Sequence, residues 1–238
     1  MMESSKPTAS ARASEASEAA IWDAYNTLLM GPDIERLRKM LARAELFQMT
    51  LDVPGDIVEC GVFKGAGLMF WLKLLRIHAP GALKRVVGFD MFDAFRGASN
   101  EAESKAVSHF VTESAFRGVA TESIYELAAA AGAPRSQCEL VAGDISETAK
   151  AYAEANPGFR ISLLHLDLDL EAPTYAALQA FWPRVVPGGV VVFDEYAARQ
   201  WTESGAVDQF FKEAGAKPRL RSLPWARTPT AFVVKEWG

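Results

Sequence analysis

The stretch Asp56-Ile-Val-Glu-Cys-Gly-Val-Phe-Lys-Gly-Ala-Gly67 decides the fold. Pro54-Gly55 punctuates the chain just before it, and Ile57 and Val58 then begin an apolar, β-favouring strand. The strand breaks into a glycine-rich turn and runs into an apolar helix from Leu68 to Ile77. Strand, tight turn and helix N-terminus together can cradle a ligand. Glycines let it approach the backbone, and the first helical turn presents free N–H groups. The same pattern also fits an ordinary strand-to-helix turn, so the surrounding chain has to decide.

Downstream, strands and helices alternate. Arg85-Val-Val-Gly-Phe-Asp90, Gln137-Cys-Glu-Leu-Val-Ala-Gly-Asp144, Ile161-Ser-Leu-Leu-His-Leu166 and Val190-Val-Val-Phe193 read as strands. The last two are continuous apolar runs of the kind buried in a parallel sheet. Helices fall between them: Thr121 to Ala131, Ile145 to Asn156, Pro173 to about Arg184, and one carrying Val207, Phe210, Phe211 and Ala214 on one face. Arg219–Leu223 and Thr230–Lys235 are expected to pair as a C-terminal antiparallel hairpin. The predicted architecture is α/β: a doubly wound, mostly parallel, seven-stranded sheet with helices on both faces. Ligands of such sheets bind at the carboxyl ends of the strands.

Upstream, residues 1–18 are rich in Ser, Ala and Glu and are expected to form a disordered tail. Residues 19–50 read as two helices, one from Ala19 to Met30 closed by Gly31-Pro32, the next beginning after Asp33. Ile34, Leu37, Leu41 and Ala44 share a face of the second, which suits core or a subunit contact. These helices could roof the site. Residues 51–238 form the main domain. Within it, 91–120 lacks clear periodicity and reads as an irregular insertion, either a lid or a solvated surface excursion.

Composition excludes several classes. Half of the 238 residues are hydrophobic, which suits one sizeable globular domain. A net charge of −5 argues against a nucleic-acid partner, whose phosphates demand a basic face. Apolar runs are far shorter than a membrane span and no secretory signal is visible, so a cytoplasmic location without membrane association is expected. Cys60 and Cys138 each lie in an apolar strand and read as reduced core residues.

Acids gather where ligands should bind. Glu59, Asp90, Asp144, Asp167, Asp169, Asp194 and Glu195 all stand at or near the ends of five predicted strands. Helix capping accounts for Asp90 and Asp144 singly, but not for Asp167 and Asp169 beside Asp194-Glu195. Asp167, Asp194 and Glu195 would bring three hard oxygen ligands to one point, suited to Mg²⁺ or another hard divalent cation. A shared-proton acid pair is the alternative.

These segments, with Gly88-Phe-Asp-Met-Phe92, Leu166-Asp-Leu-Asp-Leu170 and Pro187-Gly-Gly-Val-Val-Val-Phe-Asp-Glu-Tyr196, resemble the macrocin O-methyltransferase (TylF/MycF-like) family from about residue 54 onward. That family comprises class I S-adenosylmethionine-dependent enzymes with a Rossmann-like fold that methylate sugar hydroxyls of natural products. The resemblance implies that Glu59, Gly61 and Gly65 shape the methionine end of the cofactor pocket. It implies that Asp90 holds the ribose hydroxyls, that Asp144 lies by the adenine, that Asp167, Asp194 and Glu195 hold the metal, and that Asp169 is the general base. A rival assignment makes Asp169 a ligand and a metal-bound water the base. The chain departs from the family at Leu168, where glycine is usual, at Glu171, where Tyr is usual, and at Glu195, where Asp is usual.

A sugar hydroxyl or a metal-chelating catechol is the expected acceptor. Arg96, Lys64 and Arg199 are candidates for a substrate phosphate, Trp201 for stacking on a ring, and His109 for the functional histidine, with His165 expected in the core. A short-chain dehydrogenase also fits the glycine spacing, but no Tyr is followed four residues later by Lys. A binding module without activity would leave the acids idle. Apolar surface on the N-terminal helices points to a homo-oligomer.

Overall fold

The computed structural model describes residues 17–95 and 97–237. Residues 1–16 of the expected tail at 1–18, and the candidate Arg96, lie outside the described residues; Ser17 instead caps the first helix and Glu18 begins it. The chain opens with α1 (Glu18–Met30), α2 (Glu35–Gln48), β1 (Asp56–Cys60) and α3 (Ala66–His78). It continues through β2 (Val86–Asp90), α4 (Glu101–Ser114), α5 (Thr121–Ala130), β3 (Cys138–Ala142), α6 (Ile145–Ala155) and β4 (Ile161–Leu166). It ends with α7 (Glu171–Phe181), β5 (Val185–Phe193), α8 (Glu203–Glu213) and β6 (Ala231–Val234).

The strands form one sheet in the order β3-β2-β1-β4-β5-β6. All neighbours are parallel except β6, which runs antiparallel to β5. Six strands are formed among the described residues, not the seven expected. The first arm of the expected C-terminal hairpin shrinks to a single antiparallel bridge, Arg221 to Phe232. Pro218 and Pro224 flank that arm and cannot donate to a ladder, which confines any pairing to residues 219–223 between them.

Both faces of the sheet are covered. On one, Val58, Phe89, Phe181, Phe193 and Phe210 lie in one buried cluster that draws on α6, α7 and α8. On the other, Ile57, Leu68, Trp71, Leu75 and Ile124 pack beneath α3 and α5. Cys60 and Cys138 are buried free thiols, as their strand positions imply.

Two readings of the helices change. Residues 91–120 contain α4, capped by the Asn100 side chain, which accepts from the Glu103 N–H at 3.0 Å. On α2 the buried residues are Ala42, Arg43, Leu46 and Phe47, while Ile34 and Leu41 are exposed. The hydrophobic stripe therefore does not mark the inward face, because an arginine occupies it.

The strand order reverses between β1 and β4, and the two strands end side by side. The Asp167 N–H donates to the Cys60 carbonyl at 2.8 Å just past both ends. Gly61 has φ +93°, and a Cβ there would meet the Asp167 carbonyl oxygen at 1.9 Å. Only glycine permits that backbone approach. Gly61→Ala should therefore destabilise the fold by about 2 kcal/mol or more in urea unfolding, through strain at positive φ and collision with backbone. Unaltered stability would refute the tight crossing of β1 and β4.

Candidate active site

A cavity of about 470 Å³ opens at the carboxyl ends of the strands, at the switch point of the sheet. Gly61, Asp90, Asp144, Asp167, Asp169, Asp194 and Glu195 all line it. Glu59 and Gly65 are not part of its lining.

Glu59 instead lies fully buried on the α3 face of the sheet, next to His165 in the parallel register of β1 and β4. Its Oε1 accepts from the Trp71 indole at 3.2 Å and lies 3.7 Å from Arg43 Nη2 and 3.4 Å from His165 Nδ1. Gly67 makes room for this contact, since a Cβ there would meet Glu59 Oε1 at 2.2 Å. His165 Nε2 lies 3.2 Å from Asp194 Oδ1, so the imidazole bridges Glu59 and Asp194. Burial and Arg43 pull the His165 pKa down, but its bonds to Asp194 and Glu59 overcome them and raise it. His165 is thus a core histidine, but one that ties two site carboxylates together.

The decisive contact comes from the N-terminal helices. Lys39 Nζ lies 2.8 Å from Asp194 Oδ2 and 3.2 Å from Asp167 Oδ2. One helical turn later, Arg43 Nη2 donates to the same Asp167 Oδ2 at 3.2 Å and its guanidinium stands 5.5 Å from the Trp71 ring centroid. Burial alone would lower the Lys39 pKa, but the charges of Asp167 and Asp194 overcome it and hold the ammonium above its usual value. Burial likewise works against the Asp194 carboxylate, yet Lys39 and His165 hold it well below the usual range.

The other acids behave differently. Asp169 is buried and has φ +64°, with the Leu170 N–H donating back to the Leu168 carbonyl at 2.6 Å. A non-glycine residue at positive φ is strained and persists only where its surroundings hold it. The Thr202 N–H, 3.0 Å from the Asp169 carbonyl, helps to do so. Burial, then the charges of Asp167, Glu195 and Asp194, push the Asp169 carboxyl well above its usual range. Burial, then the charges of Asp194 and Asp167, push Glu195 up to about 7. Glu203, fully buried, accepts from the Glu195 N–H at 3.1 Å and is also raised, by burial first.

Asp90 accepts the Val62 and Phe63 N–H groups on one oxygen and the Phe92 N–H on the other. Three bonds leave it capacity for about one more donor. Asp144 caps α6 by accepting from the Ser146 N–H at 2.8 Å while still facing the cavity. Gly143, with φ +132°, follows β3 and lines the cavity, with Phe63, Met91 and Ile145 supplying apolar lining.

A divalent cation fits less well. Among the described residues, the acid or histidine group whose ligand atoms lie within 4.8 Å of one another is His165, Asp167 and Asp194, and Glu195 stands outside it. His165 Nε2 is committed to Asp194, and the converging oxygens of Asp167 and Asp194 both contact Lys39. That leaves no ready set of six oxygens.

The insertion packs over the cavity. Phe63 stacks on Phe116 at 4.7 Å, and Phe110 meets both Phe63 and Trp201 edge-on or tilted at 5.4 and 5.9 Å. Glu103 of α4 is buried; it accepts from the Ser99 N–H and hydroxyl at 2.6 and 2.7 Å and from the Thr202 hydroxyl at 2.5 Å. Of the phosphate candidates, Lys64 donates to the Ser114 carbonyl, and Lys64 and Arg199 are both absent from the lining. Arg36, Lys39 and Arg227 line the cavity instead, and the sequence reading missed all three. His109 lies on the exposed side of α4 against Glu113.

Comparison with known proteins follows this geometry. A family described as "Macrocin-O-methyltransferase (TylF)" matches residues 7–228. A Streptomyces olivaceus protein, 8-demethyl-8-(2,3-dimethoxy-alpha-L-rhamnosyl)-tetracenomycin-C 4'-O-methyltransferase, is 32% identical over 148 residues, which cover 61% of this chain and 54% of that relative. The alignment thus spans about half the length of that curated relative. The crystal structure of CalS11, a calicheamicin methyltransferase, matches 96% of this chain and 90% of its own at a TM-score of 0.73 and 27% identity. Its apo structure, described as a TDP-rhamnose 3'-o-methyltransferase of calicheamicin biosynthesis, matches 96% of this chain and 92% of its own at 0.70 and 26% identity.

Removing the Glu103 carboxylate should loosen α4 without disturbing the sheet. In Glu103→Ala, amide exchange across 101–114 should accelerate about tenfold or more while β1 and β4 keep their protection. Unchanged exchange in α4 would contradict the anchoring role.

Proposed function

The chain belongs to the macrocin O-methyltransferase family, and from that premise we propose that it transfers the methyl group of S-adenosylmethionine to a hydroxyl of a deoxysugar, either nucleotide-linked or carried by a natural product. The observation that carries this reading is Asp169, a buried carboxylate held at positive φ in the wall of a cavity at the sheet's switch point. The relative described as acting on a rhamnosyl tetracenomycin and the structure described as acting on TDP-rhamnose support a rhamnose-like acceptor.

In this reading Asp90 takes the ribose hydroxyls with its remaining acceptor capacity. Asp144 and the wall of Phe63, Met91 and Ile145 face the adenine. Gly61 lets the backbone approach the methionine arm. The bound cofactor supplies an electrophilic methyl group on a sulfonium sulfur. Asp169 takes the proton of the acceptor hydroxyl as that oxygen's lone pair forms the new bond to carbon and the C–S electrons return to sulfur. A carboxylate raised above its usual range is better matched to that task than an ordinary one. The aromatic residues Phe110 and Trp201 close the acceptor side and exclude water. Arg36 and Arg227 at the rim suit a diphosphate, which favours the nucleotide-linked sugar.

Among the described residues, no helix is long and apolar enough to cross a membrane. No residue of α1 is buried, and Ile21, Trp22, Tyr25 and Leu29 are exposed, which supports self-association through this helix.

The direct test is incubation with S-adenosylmethionine and a panel of nucleotide deoxysugars, rhamnosides and catechols, read by mass spectrometry. Gain of one methyl group on a sugar hydroxyl is expected. Methylation of catechols alone would overturn the acceptor assignment. Asp169→Asn keeps a side chain tolerant of positive φ, so turnover should fall by about 100-fold or more while cofactor affinity by calorimetry stays unchanged. Undiminished turnover would remove Asp169 from the reaction.

A further inference from the structure

A positive charge beside the acceptor oxygen makes an alcohol a better nucleophile for methyl transfer, because it stabilises the charge that develops as the proton leaves. The acids at the ends of β4 and β5 are placed to hold such a charge, and a residue of this chain already supplies one. Lys39 Nζ sits between Asp167 Oδ2 and Asp194 Oδ2 at 3.2 and 2.8 Å. A divalent ion chelated by both oxygens at about 2.1 Å would need the space that this nitrogen fills.

The surrounding charges agree. Glu59, Asp167 and Asp194 form one connected network with Arg43, Lys39 and His165, in which each carboxylate faces at least one cationic or imidazole partner. Arg43 is buried between Glu59 and Asp167, which fixes the helical turn that carries Lys39. Glu195, the acid expected to complete a metal site, stands outside the cluster formed by its neighbours. An ammonium has three N–H donors; two serve Asp167 and Asp194, and Lys39 lines the cavity, so the third is free for an acceptor oxygen there.

We propose that Lys39 is a catalytic residue whose ammonium takes the place of a divalent cation, hydrogen-bonding the acceptor hydroxyl and stabilising its developing negative charge. The inference rests on the methyltransferase reading. The hydroxyl proton goes to Asp169, the oxygen lone pair forms the O–CH₃ bond, and the C–S bond electrons pass to sulfur; Lys39 keeps its protons throughout.

The test compares the full-length wild type with Lys39→Met and Lys39→Arg, using Mn²⁺ binding by electron paramagnetic resonance, cofactor binding by calorimetry, and turnover with and without EDTA. Wild type should bind no Mn²⁺ at the site up to millimolar concentrations and should be indifferent to EDTA. Lys39→Met should bind cofactor normally, lose about 100-fold or more of turnover, acquire Mn²⁺ binding, and recover part of its turnover in Mg²⁺. Lys39→Arg keeps the charge and should stay ion-independent. Wild-type Mn²⁺ binding abolished by Asp167→Asn, or wild-type turnover lost in EDTA and restored by Mg²⁺, would overturn the proposal. So would full turnover in Lys39→Met. If no acceptor is methylated at all, the functional reading fails on that arm. The Mn²⁺ arm needs no acceptor substrate, and it still decides whether Lys39 holds the cation position.

Discussion

Two cations one helical turn apart, Lys39 and Arg43, meet acids from the ends of three adjacent strands, and the site depends on that contact. Carboxylates crowded at strand ends repel one another and resist burial. Asp167, Asp194 and Glu59 tolerate it because α2 brings positive charge to them. Removing Arg43, the buried cation of this network, should cost about 3–5 kcal/mol, because Glu59 is left charged in a poor solvent. The N-terminal helices are therefore more than a roof. They supply the charge without which the acidic strand ends could not stand together.

The backbone sets where those acids point. Parallel register places Glu59 beside His165, and the close passage of Gly61 past Asp167 locks the ends of β1 and β4 together. The turn after β4 then forces Asp169 into positive φ, which aims a buried acid at the cavity rather than along the strand. Two carboxylates two residues apart thus acquire opposite characters. Asp167 is tied to cations. Asp169 faces other acids, and burial together with their charge raises its pKa. The proposed chemistry uses that difference.

The sheet was legible from sequence because its strands are runs of β-branched and aromatic residues ending in Gly or Asp, as at Val190–Asp194. The positions of Asp90, Asp144, Asp167, Asp169 and Asp194 at one end follow from that pattern. Lys39 was not legible. A lysine on an amphipathic helix reads as solvated, and its partners lie 128 and 155 residues away. Arg43 misled the reading further, since a buried arginine moves the inward face of α2 away from its most hydrophobic stripe. Helix α4 was missed because Ser104, Ser108 and Thr112 are weak helix formers; their hydroxyls donate to carbonyls four residues back, leaving no apolar period to detect. The missing seventh strand follows from two prolines whose cost depends on pairing partners the sequence does not name.

The central claim is that Lys39 and Asp194 are energetically coupled across the site. A double-mutant cycle of Lys39→Met and Asp194→Asn, followed by urea unfolding, tests it most directly. A coupling of about 1.5 kcal/mol or more is expected at this distance for a fully buried Asp194 and a half-buried Lys39. Stability losses that add to within about 0.5 kcal/mol would show the two residues to be independent, and the charged contact would no longer explain how the acidic strand ends are held.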